Sequence, residues 1–173
     1  MDINQLGYQY FGGVDMLEIE GVSHSTVLTL MSELGPDGIK EFPSSKHFSS
    51  WLRLAPNNRI TGKKVINSRI PRGSNRIKIA LRQAANVIGN LKEGDLASFF
   101  KRVAFRKGRQ AAISATARKL AVILYHMLSD KQAYKPTEMY LTLDEKRKQK
   151  LVARMKKDMS KFGISGEELG VAS

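Results

Sequence analysis

The sequence predicts an all-α domain, a helical bundle interrupted by one irregular basic segment. Three observations carry this. Apolar residues recur at helical spacing through most of the chain, no stretch alternates apolar and polar residues as a half-buried strand would, and 42 % hydrophobic content with only five prolines suits a packed core. At 173 residues there is room for one ordinary domain with appendages.

The elements follow in order. Residues 1–13 read as a short leader. Leu17 to Gly35 reads as two short helices about a tight turn in the manner of a helix-hairpin-helix: Gly21 permits the turn, Ser23 caps the second helix, and Val27, Leu30, Met31 and Leu34 share a face. Ser44 or Ser45 can cap the next helix, in which Phe48, Trp51 and Leu52 stand at i, i+3 and i+4. From Ala55 to Gly73 the pattern breaks, punctuated by Pro56, Gly62, Pro71 and Gly73, although Val65 and Ile66 can form a short β-hairpin arm. Ser74 opens a helix with Ile77, Leu81, Ala84, Ala85 and Ile88 on one face. Helices over Asp95–Lys107 and Gln110–Leu128 follow, parted by Gly108. Small residues fill the first half of the latter and allow close backbone approach, whereas Leu120, Ile123, Leu124, Met127 and Leu128 make its second half core. Trp51 and Phe48 are expected in that same core. Thr142 and Glu145 form a capping box ahead of a charged helix to about Phe162, and 163–173 read as a frayed tail.

Charge points to a polyanion. The chain has 29 Lys and Arg against 16 Asp and Glu, a net of +13, and a pI near 10.1. Residues 51–119 alone hold 17 bases and two acids, Glu93 and Asp95, so one stretch generates most of the field. Several other classes are excluded or disfavoured. Without cysteine there is no disulfide framework or thiolate zinc site, and His24, His47 and His126 are too scattered for a metal cluster. The longest apolar run, Leu120 to Leu124, is far short of a membrane span, and Asp2 and Asn4 suit no signal peptide. A cytoplasmic protein without membrane partners is expected.

Three motifs bear on chemistry. In Glu18 to Val27, the turn at Gly21 and Ser23 either offers helix N-terminal amides to a phosphate or serves packing alone, with Glu18 and Glu20 opposing the former. Arg59-Ile60-Thr61-Gly62-Lys63-Lys64, followed by Arg69, Arg72, Arg76, Lys78 and Arg82, reads as a phosphate-contacting loop. It also holds the hydroxyl and cations that phosphoryl transfer to a side chain needs. The spacing of a Walker loop is absent. Finally, Phe99-Phe100-Lys101-Arg102 and Arg106-Lys107-Gly108-Arg109 place phenylalanines in the core and cations on a phosphate-facing surface.

The ordered motifs Gly21-Val22-Ser23, Ser45 to Leu52, Pro56 to Val65, Ala80 to Ala85 and Ala115 to Ala121, continued by Tyr125-His126-Met127-Leu128 and Tyr134, resemble the C-terminal domain of the insertion sequence one-ten and eleven-eleven transposases. The resemblance covers about residues 14–140. It implies a DNA recombinase that works with a structured guide RNA, assembles as an oligomer, and pairs this helical domain with an N-terminal RuvC-like domain bearing a DEDD carboxylate set. The family's nucleophilic serine lies in a Ser-Gly motif that falls on Thr61-Gly62 here. By resemblance Thr61 is therefore the catalytic residue, with Arg59, Gly62, Lys63, Lys64, Arg69, Arg72, Arg76, Arg82, Gly21 and Ser23 as nucleic-acid contacts. About 13 residues precede the resemblance, so the chain is expected to be a truncated or split form. It should hold no cofactor itself, a divalent metal such as Mg entering only with a RuvC-like partner domain or full-length transposase. The other reading is a non-catalytic basic nucleic-acid-binding module.

Overall fold

The computed structural model describes residues 3–56, 59–62, 64–67 and 70–135, together with 149, 152–155, 157–161 and 163. The fold is all-α with one small hairpin. Its elements are α1 (Ile3–Tyr10), α2 (His24–Leu34), a 3-10 turn (Gly38–Glu41), α3 (Ser45–Trp51), β1 (Arg59–Thr61), β2 (Lys64–Asn67), α4 (Arg76–Ile88), α5 (Asp95–Lys107) and α6 (Arg109–Asp130). The chain divides into two units, 1–134 and 135–173. In the second, residues 152–155 and 157–161 are helical, and Arg154 faces Asp158 one turn on at 3.9 Å. The expected capping box at Thr142 and Glu145 lies outside the described residues.

The first unit is organised by α6. Ala112, Ala117, Leu120, Ala121 and Leu124 are completely buried, and α3, α4 and α5 all pack on this helix. Its alanines bring neighbouring backbones close, while the leucines fill the space beyond. The expected apolar faces are in place: Ile77, Leu81, Ala84, Ala85 and Ile88 of α4 are buried, as are Leu96, Ala97, Phe100 and Val103 of α5. α2 packs on α4 through Val27 and Leu30.

Local chemistry sets the boundaries. Ser44 caps α3, accepting from the His47 amide at 3.5 Å. Asn75, rather than Ser74, caps α4 by accepting from the Lys78 amide at 3.3 Å. Gly108, at φ 81°, both ends α5 and starts α6, a reversal that its missing Cβ permits. Beyond α6, Lys131 adopts φ 52° and its ammonium donates to the Phe11 carbonyl at 2.9 Å, tying the end of the long helix to the N-terminal region.

Three expectations are corrected. Leu17 to Gly21 forms turns instead of a helix, because Met16 and Ile19 carbonyls accept from amides only three residues ahead and the segment reverses at Gly21. One helix, α2, follows the turn where two were expected around it. Ile3–Tyr10, within the stretch read as a leader, is helical and packs on α2. Trp51 is 43 % exposed, although Phe48, Leu120 and Leu124 are buried as expected. Its ring is the outer member of an aromatic cluster, 5.2 Å from Phe42 and 6.2 Å from Phe48 by centroids. Tyr125 joins the inner side, donating its hydroxyl to the Phe42 carbonyl at 2.9 Å. Phe48→Ala should therefore cost about 3–5 kcal/mol by opening a cavity, whereas Trp51→Ala should cost about 1–2 kcal/mol because its face already meets water. Urea titration of both variants checks the order, and equal losses would place Trp51 in the core.

Candidate nucleic-acid interface

The hairpin is a two-stranded antiparallel ladder. Thr61 stands opposite Lys64, Ile60 opposite Val65 and Arg59 opposite Asn67, with an irregularity between Arg59 and Ile60. Gly62 opens the two-residue connection at φ 59°, the left-handed conformation that so tight a hairpin demands. No other atom lies within 4 Å of where its Cβ would be. Thr61 and Gly62 are exposed, so the candidate nucleophile sits at a hairpin tip open to solvent. Arg59 and Lys64 are placed by strand register alone, and Lys63 and Arg69 lie outside the described residues.

Below the hairpin, the segment returning to α4 is pinned by cations. Arg53, in the left-handed region at φ 53°, donates to the Arg72 carbonyl at 2.7 Å, and Lys78 donates to the Gly73 carbonyl at 3.2 Å. Arg82 crosses from α4 to α6, donating to the Ser114 hydroxyl at 2.8 Å. Burial, then the charges of Arg82 and Arg53, hold the Lys78 ammonium below its ordinary pKa. Arg53, Lys78 and Arg82 thus form one positive cluster with Arg72 exposed beside it. Arg76 is directed elsewhere, meeting Glu33 at 3.1 Å.

Gly21 and Ser23 belong to a different surface. Gly21 has φ 77°, and a Cβ there would come within 2.7 Å of the Ile88 side chain and 2.8 Å of the Ala84 carbonyl. Its requirement is close packing of the turn on α4. Ser23 occupies the start of α2, but its hydroxyl is shared with Ser25 at 2.8 Å and Thr26 at 3.3 Å and caps no amide. Glu20 turns towards the start of α5. There the amides of Asp95 and Ala97 favour its charge, while burial foremost and Asp95 oppose it, leaving its pKa above the ordinary 4.5. Burial pushes the neighbouring Tyr134 hydroxyl up to about 12, with Glu20 and Asp95 adding to the shift.

Sequence reasoning missed a groove of about 590 Å³ between α5, α6 and both approaches to the hairpin. Leu54, Ile70, Phe99 and Val103 give it an apolar lining, and Arg106, Lys107, Arg118 and Lys119 also line it. The Lys119 ammonium lies 4.4 Å from the centroid of the Phe99 ring. Phe100 is core as expected, Phe99 is half-buried, and Phe105 is 94 % exposed. Arg118 and Lys119 gave a signal in the sequence, as adjacent cations within an otherwise small and apolar helix, but the partner walls come from residues some 50 positions earlier.

Among the described residues, no group of three or more His, Asp or Glu side chains is placed to hold a metal. None of the described helices is long and apolar enough to cross a membrane.

The exposed hairpin tip stands on a basic helical frame. Residues 15–101, spanning the α2 region, the hairpin, α4 and half of α5, match the Transposase IS116/IS110/IS902 family. The chain belongs to that family. Against individually curated proteins no relative matches the chain.

The Glu20 environment makes a pH prediction. Folded Glu20 keeps its proton to higher pH than the unfolded chain does, so its contribution to stability declines as pH rises from about 4.5 through the raised value. Glu20→Gln, which keeps an acceptor for the α5 amides and removes the charge, should gain stability relative to the parent between about pH 4 and pH 7. Thermal melts at several pH values test this. A difference that stays constant or moves the other way would show that the carboxylate is not penalised.

Proposed function

We propose that this chain is the DNA-binding, nucleophile-supplying part of an insertion-sequence transposase, acting in DNA transposition and recombination in the cytoplasm on the nucleoid. The observation that supports it most is the placement of Thr61: exposed at the tip of a hairpin, beside a glycine, on the most basic stretch of a family member. A hydroxyl so placed reaches a phosphodiester without moving the core. In the reaction, Thr61 Oγ attacks phosphorus, a P–Oγ bond forms as a bond from phosphorus to a sugar oxygen breaks, and the threonine proton ends on that departing oxygen. Cations at the hairpin base offset charge on the phosphate.

The carboxylates and metal are proposed to come from a RuvC-like DEDD domain or a full-length transposase. Further proposed partners are a structured guide RNA and other copies of the chain. A second reading, a non-catalytic nucleic-acid-binding module, is favoured by the threonine standing at the family's serine position, since a secondary hydroxyl is more hindered.

Binding and chemistry are tested together. If about six phosphates are neutralised, affinity for DNA should fall about a thousandfold between roughly 50 and 200 mM salt. A flat titration removes the polyanion reading. The chain alone should form no covalent adduct. With a RuvC-like partner domain it should trap a phospho-threonyl DNA adduct that Thr61→Ala abolishes and Thr61→Ser retains or increases, while Thr61→Ala leaves binding nearly unchanged. An adduct in the chain alone overturns the dependence on a partner, one that survives Thr61→Ala moves the nucleophile, and none in any reconstitution supports the binding module.

A further inference from the structure

We propose that the groove between α5, α6 and the hairpin approaches seats an unpaired DNA strand and leads it towards Thr61, an inference that rests on the nucleic-acid reading above. Three features of the groove select this occupant. Its volume of about 590 Å³ is in the range of sites that enclose ligands of nucleotide size. Its lining combines apolar surface from Leu54, Ile70, Phe99 and Val103 with four cations and, among the described residues, no carboxylate. Surfaces that hold single strands combine the same two elements: a cationic track for phosphates and apolar or aromatic faces for bases. An apolar peptide would make no use of the positive charge of the lining, and a duplex would hide its bases from the floor.

The cations are also arranged to meet a backbone. Arg106 and Lys107 come from the last turn of α5, whereas Arg118 and Lys119 lie in the middle of α6. The lining thus carries positive charge from two elements. Lys119 is held over the Phe99 ring, which places a cation directly beside apolar surface. Ser114, which also lines the groove, is bonded to Arg82 and so connects it to the Arg53, Lys78 and Arg82 cluster.

Chain connectivity then relates the groove to the nucleophile. Leu54 and Pro56 line it on one side of the hairpin and Ile70 on the other. Thr61 is five residues from Pro56, so the two α-carbons are at most about 18 Å apart. A strand seated on the groove passes the hairpin within a few nucleotides. The small side chains Ala111 and Ala115 keep the floor open.

The test fills the groove without touching charge. Ala111→Leu/Ala115→Leu should weaken binding of fluorescent oligo-dT at least tenfold while duplex affinity stays within twofold of the parent. Unchanged oligo-dT binding overturns the groove proposal and leaves the nucleic-acid reading intact. Equal loss of both ligands overturns it in favour of a general phosphate surface. Failure of the parent to bind either ligand overturns both readings, and tighter, groove-dependent binding of oligo-U than oligo-dT overturns the assignment to DNA. Should the double variant not fold, photocrosslinking of 5-iododeoxyuridine-substituted oligo-dT to the parent chain decides: adducts at Phe99 support the groove, and adducts confined to Phe105 or Trp51 overturn it.

Discussion

The close packing of small residues along α6 is the constraint on which the rest of the first unit depends. Ala112, Thr116, Ala117 and Ala121 are fully buried, and with so little side chain on that seam α4 and α5 can approach α6 closely. Larger residues there would force the helices apart. The Arg82 to Ser114 hydrogen bond spans the α4–α6 contact, and the groove is bounded by α5 and α6 with the hairpin approaches across it. The candidate site is a consequence of how three helices meet.

Charge is laid over that frame in a way that keeps its field. Many basic side chains are fixed by neutral acceptors: Arg53 by the Arg72 carbonyl, Arg82 by Ser114, Lys101 by the Lys92 carbonyl, and Arg109 by Asn86 and Asn90 at 2.7 and 2.8 Å. Such bonds hold a cation in place without cancelling it, so the surface remains attractive to phosphate. Arg76 is different, because Glu33 answers its charge.

The helical frame was largely legible in the sequence, and the reasons are local. α5 has its observed limits because Asp95 begins it and Gly108 ends it, and the buried face of α4 repeats at helical spacing. What was illegible depended on distant partners. Trp51 has the spacing of a core residue, yet Phe42 and Phe48 already close the core beneath it. At Gly21 the sequence leaves a phosphate turn and a packing role equally open, and only the nearness of Ile88 and Ala84 reveals why a side chain is not tolerated there. The hairpin arm was foreseen at Val65 and Ile66. The groove was not, since its walls are joined by the fold from residues as far apart as Leu54 and Lys119.

The groove proposal requires nucleic acid to meet the face built by α5, α6 and the hairpin approaches rather than the turn at Gly21 and Ser23. Amide hydrogen exchange, compared with and without a saturating oligonucleotide, tests it most directly because it surveys the whole first unit at once. Added protection is expected in peptides covering 53–56, 70–74 and 99–119, with peptides covering 18–27 unchanged. Protection confined to 18–27 would contradict it.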